Sequence, residues 1–302
     1  MTKFLILGGL AWDRVIRLSG PVMPGARLGG ELLATALSDP HPLPGRLGGG
    51  AANAAVALAK AGCAVTVGGV LSRDVPGRLV RAALAQAGVD VALVEPTDTP
   101  SALTLILVDP AGERTIIGVR PAEDVAQNRS YSASTARLSD AVARRLAAEP
   151  FGGVFLRAPI AVDIPSETLT IAHWGGGEFL PRADIVVASS SDLIDPDPGA
   201  AFRRVREIAG TRLRWLVLTL GARGALAFSG DRMVTAPGRP AQVKDATGAG
   251  DVFAAGLMQA LAARADMERA LDHACQWGAT AASLDGSAPL SAPVNAFRPY
   301  TD

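Results

Sequence analysis

Short apolar runs recur along the chain and alternate with alanine-rich stretches that have the length of helices. Five of these runs have the length of a buried strand: residues 4–7, 64–70, 151–156, 185–188 and 213–218. Strands that are apolar along their whole length are typical of a parallel sheet covered on both faces, and alternation with helices indicates βαβ units. The pattern therefore predicts a three-layer α/β/α fold with a mostly parallel central sheet.

Two regions interrupt this alternation and favour antiparallel strands. They are residues 29–37 and 101–117, and in the second region residues 103–108 and 115–119 flank a short turn with the sequence Asp-Pro-Ala-Gly. We expect both regions to form a small β-sheet that is inserted into the α/β domain. Residues 121–139 are polar and small, which predicts a long connection before a helix near residues 140–148.

Near the C-terminus a polar, glycine-bearing loop leads directly into an apolar helix, with the sequence Val243-Lys-Asp-Ala-Thr-Gly-Ala-Gly-Asp251. Gly248, Ala249 and Gly250 have almost no side chain, so the N–H groups of the first helical turn can approach an anion. A carboxylate at Asp251 could then accept the proton of an attacking alcohol. In the alternative interpretation, Asp251 only caps the helix and the glycines only permit a tight turn. The first interpretation predicts phosphoryl transfer to an alcohol.

A second glycine-rich segment, Leu47-Gly-Gly-Gly-Ala-Ala-Asn53, leads into an alanine-rich helix that ends near Gly62. Asn53 is polar within an apolar stretch, and its amide can both donate to and accept from substrate hydroxyls. Close helix packing explains the glycines and alanines equally well. A dinucleotide-binding oxidoreductase would need an apolar strand before Gly48, but a proline-rich segment precedes it, so this class is less favoured.

The composition narrows the class of protein. The chain has 302 residues, of which 49% are hydrophobic and 19% charged, as is typical of a globular enzyme. Equal acidic and basic counts give no electrostatic reason to expect nucleic acid or a membrane as a partner. No apolar segment has the length of a membrane span. Cys63 and Cys275 lack metal or redox spacing, so we expect a reducing, cytoplasmic location.

Taken together, the segments around Asn53 and Asp251 resemble the two signatures of the ribokinase-like, or PfkB, family of carbohydrate kinases. Further segments that resemble the family follow in chain order: Gly8-Gly-Leu-Ala-Trp-Asp13, Val67-Gly-Gly-Val-Leu-Ser-Arg-Asp74, Asp109-Pro-Ala-Gly-Glu-Arg-Thr115 and Leu216-Val-Leu-Thr-Leu-Gly-Ala-Arg-Gly224. The resemblance implies that residues 1–302 form one ribokinase-like α/β domain. It also implies a discontinuous β-sheet lid at about residues 13–45 and 98–120.

The resemblance assigns roles to residues in three groups. The catalytic group is a general base and an anion hole, formed by Asp251, Gly248, Ala249 and Gly250. The group that binds the acceptor is formed by Asp13, Gly49, Gly50 and Asn53. The group that binds ATP is formed by Thr219, Gly221, Gly224 and Gly286, and the helix with Cys275 and Gln276 is expected beside it. The chain has no Gly-x-x-x-x-Gly-Lys-Ser/Thr phosphate loop, which kinases of this family do not need.

The resemblance also implies cations at the phosphates. Many relatives carry an Asn-x-x-Glu segment tied to Mg²⁺, and Ser189-Ser-Ser-Asp192 stands in its place here, so Ser189 and Asp192 are the expected Mg²⁺ residues. Asp245 and Thr247 match positions that hold a monovalent cation in K⁺-dependent relatives, which leaves K⁺ as an optional cofactor. Ala246 and Ala51 replace a Thr and a Gly of the family signatures.

We therefore expect an ATP-dependent kinase that phosphorylates a primary hydroxyl of a pentose or hexose. A nucleoside kinase is the second alternative, and a member that binds sugar or nucleotide without turnover is the third. Arg120, Arg157 and His173 are candidates for setting the substrate, with His173 expected in a glycine-rich loop. Dimerisation through the lid is a further expectation, because residues 28–37 would otherwise present an apolar edge.

Overall fold

The computed structural model describes residues 2–23, 25, 27–33, 45–110, 114–119, 129–158, 160–175, 180–192, 197–284, 286, 288–293 and 296–301. The helices within these ranges are α1 (Gly50–Lys60), α2 (Val75–Gln86), α3 (Arg129–Ala148), α4 (Pro198–Ala209), α5 (Ala249–Ala262) and α6 (Met267–Ala282). Short 3₁₀ turns cover Ser190–Asp192 and Gly221–Arg223. None of the helices in these ranges is long and apolar enough to span a membrane.

The larger of two sheets has nine strands. In chain order they are β1 (Lys3–Gly8), β5 (Ala64–Ser72), β6 (Asp90–Thr97), β9 (Gly153–Arg157), β10 (Thr170–Trp174), β11 (Ile185–Ser189), β12 (Trp215–Thr219), β13 (Gly224–Phe228) and β14 (Met233–Pro237). Their spatial order is β14-β13-β12-β11-β10-β9-β1-β5-β6. Neighbouring strands from β6 to β12 are parallel, and β13 and β14 are antiparallel additions at one edge. The predicted parallel sheet is confirmed, and all five predicted strands belong to it.

Helices cover both faces of this sheet, and β1 shows how the sequence achieves this. Successive side chains of a strand point to opposite faces, so Phe4 and Ile6 pack in one buried cluster while Leu5 and Leu7 pack in another. The first cluster contains buried residues of α1, α2, α5 and α6, and the second contains those of α3 and α4. Because residues 4–7 of β1 are all apolar, the strand can be buried on both sides, as the three-layer prediction requires.

The smaller sheet is built from β2 (Ala11–Leu18), β3 (Gly30–Leu33), β4 (Arg46–Gly48), β7 (Leu103–Val108) and β8 (Arg114–Val119). Its order is β3-β2-β7-β8, and β4 pairs with β2. The predicted antiparallel pairing of residues 103–108 with residues 115–119 is confirmed. Residues 34–37 and the turn at residues 111–113 lie outside the described ranges. We call this sheet the lid.

Asp74, which follows β5 of the larger sheet, is hydrogen-bonded to the segment that leads into the lid strand β7. Its carboxylate accepts hydrogen bonds from Gly77 N at the start of α2 and from Ser101 N and Oγ just before β7. Burial acts to raise the pKa of Asp74, but the hydrogen bonds from Ser101 and Gly77 outweigh it and hold the pKa below its usual range. The ionised carboxylate therefore caps the helix and fixes the start of a lid strand at the same time.

Two expectations from the sequence are wrong. The helix predicted near residues 140–148 already begins at Arg129, so much of the predicted connection is helical. The burial of Leu138 and Val142, four residues apart on one face, explains why a helix forms despite the polar composition. His173 lies in β10 and not in a loop. His173 is half-buried, and it pairs with Val187 of the parallel neighbour β11.

Candidate active site

The site begins with the loop that leads into α5. Asp245 N donates a hydrogen bond of 3.2 Å to the carbonyl of Ala282 at the end of α6, which anchors the loop. Gly248 is the N-cap residue with φ 76°, a left-handed conformation that suits glycine. A Cβ atom on Gly250 would find no other atom within 4 Å. The first turn of α5 therefore presents its backbone to open space, where the positive end of the helix favours an anion.

Asp251 lies in this first turn and is only 6% exposed. Its Oδ2 accepts a hydrogen bond of 2.9 Å from Asn53 Nδ2, and its Oδ1 accepts one of 2.7 Å from Arg157 Nε. Because Gly248 is the N-cap residue, the alternative in which Asp251 caps the helix is wrong. The carboxylate is instead held between an amide from α1 and a guanidinium at the end of β9.

Three consecutive glycines let four elements converge beside Asp251. A Cβ atom on Gly48 would lie 1.8 Å from Asp13 Oδ2, and one on Gly49 would lie 2.5 Å from the Gly9 carbonyl. A Cβ atom on Gly50 would lie 2.5 Å from Arg157 Cγ and 2.8 Å from Asp251 Oδ1. A side chain at any of these positions would therefore push apart β2, the loop after β1, the end of β9 or the start of α5.

The acceptor-binding residues expected from the sequence meet at this convergence. Asp13 on β2 and Asn53 on α1 are both buried, at 4% and 3% exposure. Within the described part of the chain, Asn53 Oδ1 is buried without a hydrogen-bond partner, a condition that normally calls for a water or a ligand. Carboxylates and a side-chain amide around one point are suited to binding several hydroxyl groups.

A cleft of about 680 Å³ opens on the other side of α5. It lies beyond the carboxyl ends of β11 and β12, the usual ligand side of an open α/β sheet. The expected residues that line it are Ser189, Thr219, Gly221, Gly224, Ala249 and Gly250. The structure thus brings most of the predicted nucleotide-binding residues together with the start of α5. Cys275 also lines the cleft, whereas Gln276 lines neighbouring clefts.

Other residues of this cleft were not singled out from the sequence: Gly238, Arg239, Pro240, Ala241, Val243, Phe253, Gly278, Ala279 and Ala282. Most are small or apolar, which is typical of a pocket for a flat ring system. Gly238 is a glycine that this packing requires, because a Cβ atom there would lie 1.9 Å from the Ala222 carbonyl. The apolar members look like ordinary core residues in the sequence.

Asp245 makes a second arginine pair that the sequence did not predict. Arg46 Nη2 lies 2.5 Å from Asp245 Oδ2, while Thr247 N donates to Asp245 Oδ1 at 2.8 Å. Burial acts to raise the pKa of Asp245, but the hydrogen bonds from Thr247 and the charge of Arg46 hold it below its usual range. Gly286, expected in the ATP site, lies beside Arg46, since its Cβ would be 3.6 Å from Arg46 Cδ, and it is not among the residues that line the cleft.

The remaining expected residues concern Mg²⁺ and substrate choice. Ser189 ends β11 and its Oγ lies 2.7 Å from Ser191 Oγ, and Asp192 ends the following 3₁₀ turn. The described residues hold no cluster of three His, Cys, Asp or Glu side chains suited to a metal. The Ser189 hydroxyl fits Mg²⁺ that arrives with phosphates and keeps most of its waters. Arg157 lies at the site, and Arg120 lies outside the described residues.

Comparison with known proteins identifies the family. The chain matches the pfkB family of carbohydrate kinases over residues 43–183 and 186–294. It is 30% identical to the ATP-dependent ribose-1-phosphate kinase of Halopiger xanaduensis, over 98% of both chains. It is 25% identical to the ribokinase of Haemophilus influenzae, over 92% of this chain and 90% of the relative. The solved ribokinase of Giardia lamblia shares the fold, with a TM-score of 0.74 at 16% identity over 96% of this chain and 97% of that chain. The chain therefore belongs to the pfkB family of carbohydrate kinases and is a phosphotransferase that acts on sugar hydroxyl groups.

Proposed function

We propose that this protein transfers the γ-phosphoryl group of ATP to a primary hydroxyl of a ribosyl sugar, with Asp251 as the general base. One observation carries the proposal. Asp251 is a buried carboxylate that lies in the first turn of α5, between the expected acceptor residues on one side and the cleft of about 680 Å³ on the other. A base at this position can meet a hydroxyl at the place where a phosphate would approach the helix start.

The contacts of Asp251 indicate how the base would work. Asn53 holds Oδ2 from a buried position, so the carboxylate keeps its orientation while Oδ1 exchanges partners. The acceptor hydroxyl takes the place of Arg157 at Oδ1 and donates its proton there as its oxygen attacks the γ-phosphorus. The bond from that phosphorus to the bridging oxygen breaks, and ADP leaves with that oxygen. Arg157, released from Oδ1, is then close enough to neutralise charge on the transferring oxygens.

The backbone at the start of α5 supplies the other part of the stabilisation. Ala249 and Gly250 line the cleft, next to Gly248 at the N-cap. The Ala249 N–H donates to the Ala246 carbonyl at 3.3 Å in the resting protein, so it would exchange this long bond for a phosphate oxygen. Fixed donors of this kind stabilise charge that develops in the transition state without reorganising at that moment. Mg²⁺ bound with ATP would neutralise the phosphate oxygens, and Ser189 and Asp192 are the residues we expect to hold it.

The ribosyl acceptor is supported by the relative from Halopiger xanaduensis, a ribose-1-phosphate kinase that matches the whole length of this chain. The ribokinase of Haemophilus influenzae supports the same sugar unit at lower identity. A free pentose, ribose 1-phosphate and a nucleoside all present a primary 5-hydroxyl on a ribosyl ring. The same base and anion hole would therefore serve each of them, and the substituent at C1 is what the lid must distinguish.

The test is acceptor-dependent ADP release with MgATP over ribose, ribose 1-phosphate, hexoses and nucleosides, in the unmodified protein and in Asp251→Asn. We expect a ribosyl acceptor to give turnover and the variant to lose about 10²- to 10⁴-fold in kcat, the usual contribution of a general base. Asp266→Asn is the matched control. It makes the same chemical change at the start of another helix, because Asp266 is the N-cap residue of α6 and lies outside the candidate site. Equal turnover in Asp251→Asn would contradict the assigned base. Binding of ATP and sugar without turnover by the unmodified protein would identify a non-catalytic member.

A further inference from the structure

Arg46 is a buried cation that joins the lid to the loop before α5. It lies on β4, two residues before Gly48, and its side chain is 9% exposed. Its Nη2 lies 2.5 Å from Asp245 Oδ2, and the Asp245 side chain is 10% exposed. Arginine is rarely buried unless its charge is paired. The pair therefore reflects a specific arrangement of the loop and not an exposed surface contact.

The carboxylate of Asp245 also shapes the turn that carries the anion hole. Its Oδ1 accepts the Thr247 N–H at 2.8 Å, and this turn places Gly248 at the N-cap of α5. Arg46 reaches across to the segment at Gly286 as well, because a Cβ atom on Gly286 would lie 3.6 Å from Arg46 Cδ and Nη1. The guanidinium thus lies between Asp245 and the backbone near Gly286.

The family resemblance places a monovalent cation at Asp245 and Thr247, and the residues here do not fit one. A K⁺ ion needs oxygen atoms directed at it and no other positive charge beside it. Asp245 Oδ2 already contacts the guanidinium of Arg46, which carries the same charge as such an ion. Both oxygens of the carboxylate have partners, and a second cation would meet the repulsion of Arg46 at close range.

We propose that Arg46 is a tethered cation that takes the place of the monovalent ion, so that this protein works without K⁺. Arg46 neutralises Asp245 and holds the Asp245–Gly248 turn in the shape that presents the amides of α5. It is a positioning residue, since its guanidinium contacts the loop and not the reacting atoms. The effect on turnover rests on the proposed function, whereas the effect on the stability of the loop does not.

The first test compares the unmodified protein in KCl with the same concentrations of NaCl and tetramethylammonium chloride. We expect its kcat and its Tm to be the same in the three salts. In Arg46→Ala we expect turnover to fall about 10²-fold, the effect of a misplacement of about 1 Å in the groups that position the reactants. K⁺ or guanidinium, but not tetramethylammonium, should then raise the turnover of Arg46→Ala about tenfold. The same ions should raise its Tm, because a ligand that binds only the folded state stabilises that state. Arg46→Gln repeats the test if Arg46→Ala does not fold, and Arg46→Lys should keep the independence from K⁺.

The matched control is Arg212→Ala, which breaks another Arg–Asp pair of low exposure far from the site, the one with Asp184. It should lower the Tm without any rescue by K⁺ or guanidinium. Activation of the unmodified protein by K⁺, or the same response in Arg46→Ala and Arg212→Ala, would overturn the proposal. If no acceptor is phosphorylated by the unmodified protein, the proposed function fails, while the Tm of Arg46→Ala in K⁺ and tetramethylammonium still decides the role of Arg46.

Discussion

Replacing Arg157 with Met tests whether this arginine acts during turnover or only in the resting protein. Arg157 ends β9, and its Nε lies 2.7 Å from Asp251 Oδ1. The Arg157 side chain is 35% exposed and that of Asp251 only 8%. Water can therefore replace Arg157 at low cost, and the guanidinium is the partner that we expect to leave when the acceptor hydroxyl arrives. Met keeps the unbranched stem as far as the position of Nε and removes the charged guanidinium.

The two effects of this change differ in size. Loss of the resting ion pair should destabilise the fold by only about 1 kcal/mol, because the exposure of Arg157 screens the pair and lets water reach Asp251. Loss of a cation beside the transferring phosphoryl group should lower kcat by about 10²- to 10³-fold, as removal of one transition-state donor does. At about 1.4 kcal/mol for each factor of ten, the catalytic effect is the larger one.

Steady-state kinetics with saturating MgATP would separate these effects. We expect Arg157→Met to lose kcat with little change in the KM for the acceptor, and Arg157→Lys to recover part of the loss because it restores a charge without the planar fork. Thermal unfolding of both variants gives the stability effect. The opposite kinetic result, an unchanged or higher kcat in Arg157→Met, would show that Arg157 only blocks Asp251 in the resting state and would refute the catalytic role.

Further predictions concern the acceptor pocket, the response to acid and the lid. Gly48→Ala should raise the acceptor KM about tenfold or more and leave nucleotide affinity unchanged by calorimetry, because its Cβ would displace Asp13. Burial lowers the pKa of His273 to about 4, against the opposing charge of Asp272, so its stabilisation is complete above the unfolded pKa of about 6.5 and is lost as the pH falls towards 4. This pKa change corresponds to at most about 3 kcal/mol, at about 1.36 kcal/mol per pKa unit, and the partial exposure of His273 reduces it. Denaturant titrations should therefore show about 2 kcal/mol of acid sensitivity that is absent in His273→Asn, and equal sensitivity in both proteins would contradict it. The lid exposes apolar side chains such as Ile116, so we expect dimers in sedimentation, and a monomer at all concentrations would remove that expectation.

The sequence predicted the strands that consist almost entirely of apolar side chains. The five runs predicted as strands of the larger sheet are almost entirely apolar, with Thr66 and Arg214 as the exceptions, and burial on both faces follows from that pattern. It missed the antiparallel β13 and β14 at one edge and two parallel strands. The parallel ones are β6, where Asp90, Glu95 and Pro96 interrupt the apolar run, and β10, which contains His173. The exposed sheet edge tolerates the polar side chains of β6, because it is the last strand in the order. Position in the sheet, which the sequence does not show, decided these two cases.

The candidate site was predictable only as far as its residues are close together in the chain. The Asp245–Asp251 loop and the Gly48–Asn53 segment are local, and the backbone chemistry of each could be worked out separately. Arg157 was named as a substrate candidate without a location, and Arg46 was not named at all. Their partners are 94 and 199 residues away in sequence. Such pairs depend on how β4 and β9 are placed around α5, which no local pattern encodes.

The two arginines explain how one loop can be both fixed and reactive. Asp245 and Asp251 are the two carboxylates of the loop, and in the resting protein each is neutralised by an arginine from another element. The Arg46 pair is almost completely buried, so separating it would leave an unpaired buried charge at a high cost in free energy. The Arg157 pair opens to solvent on one side, so separating it costs much less. Arrival of the acceptor hydroxyl should therefore exchange only the second pair, which removes the positive charge beside Asp251 while the turn at Gly248 keeps its shape.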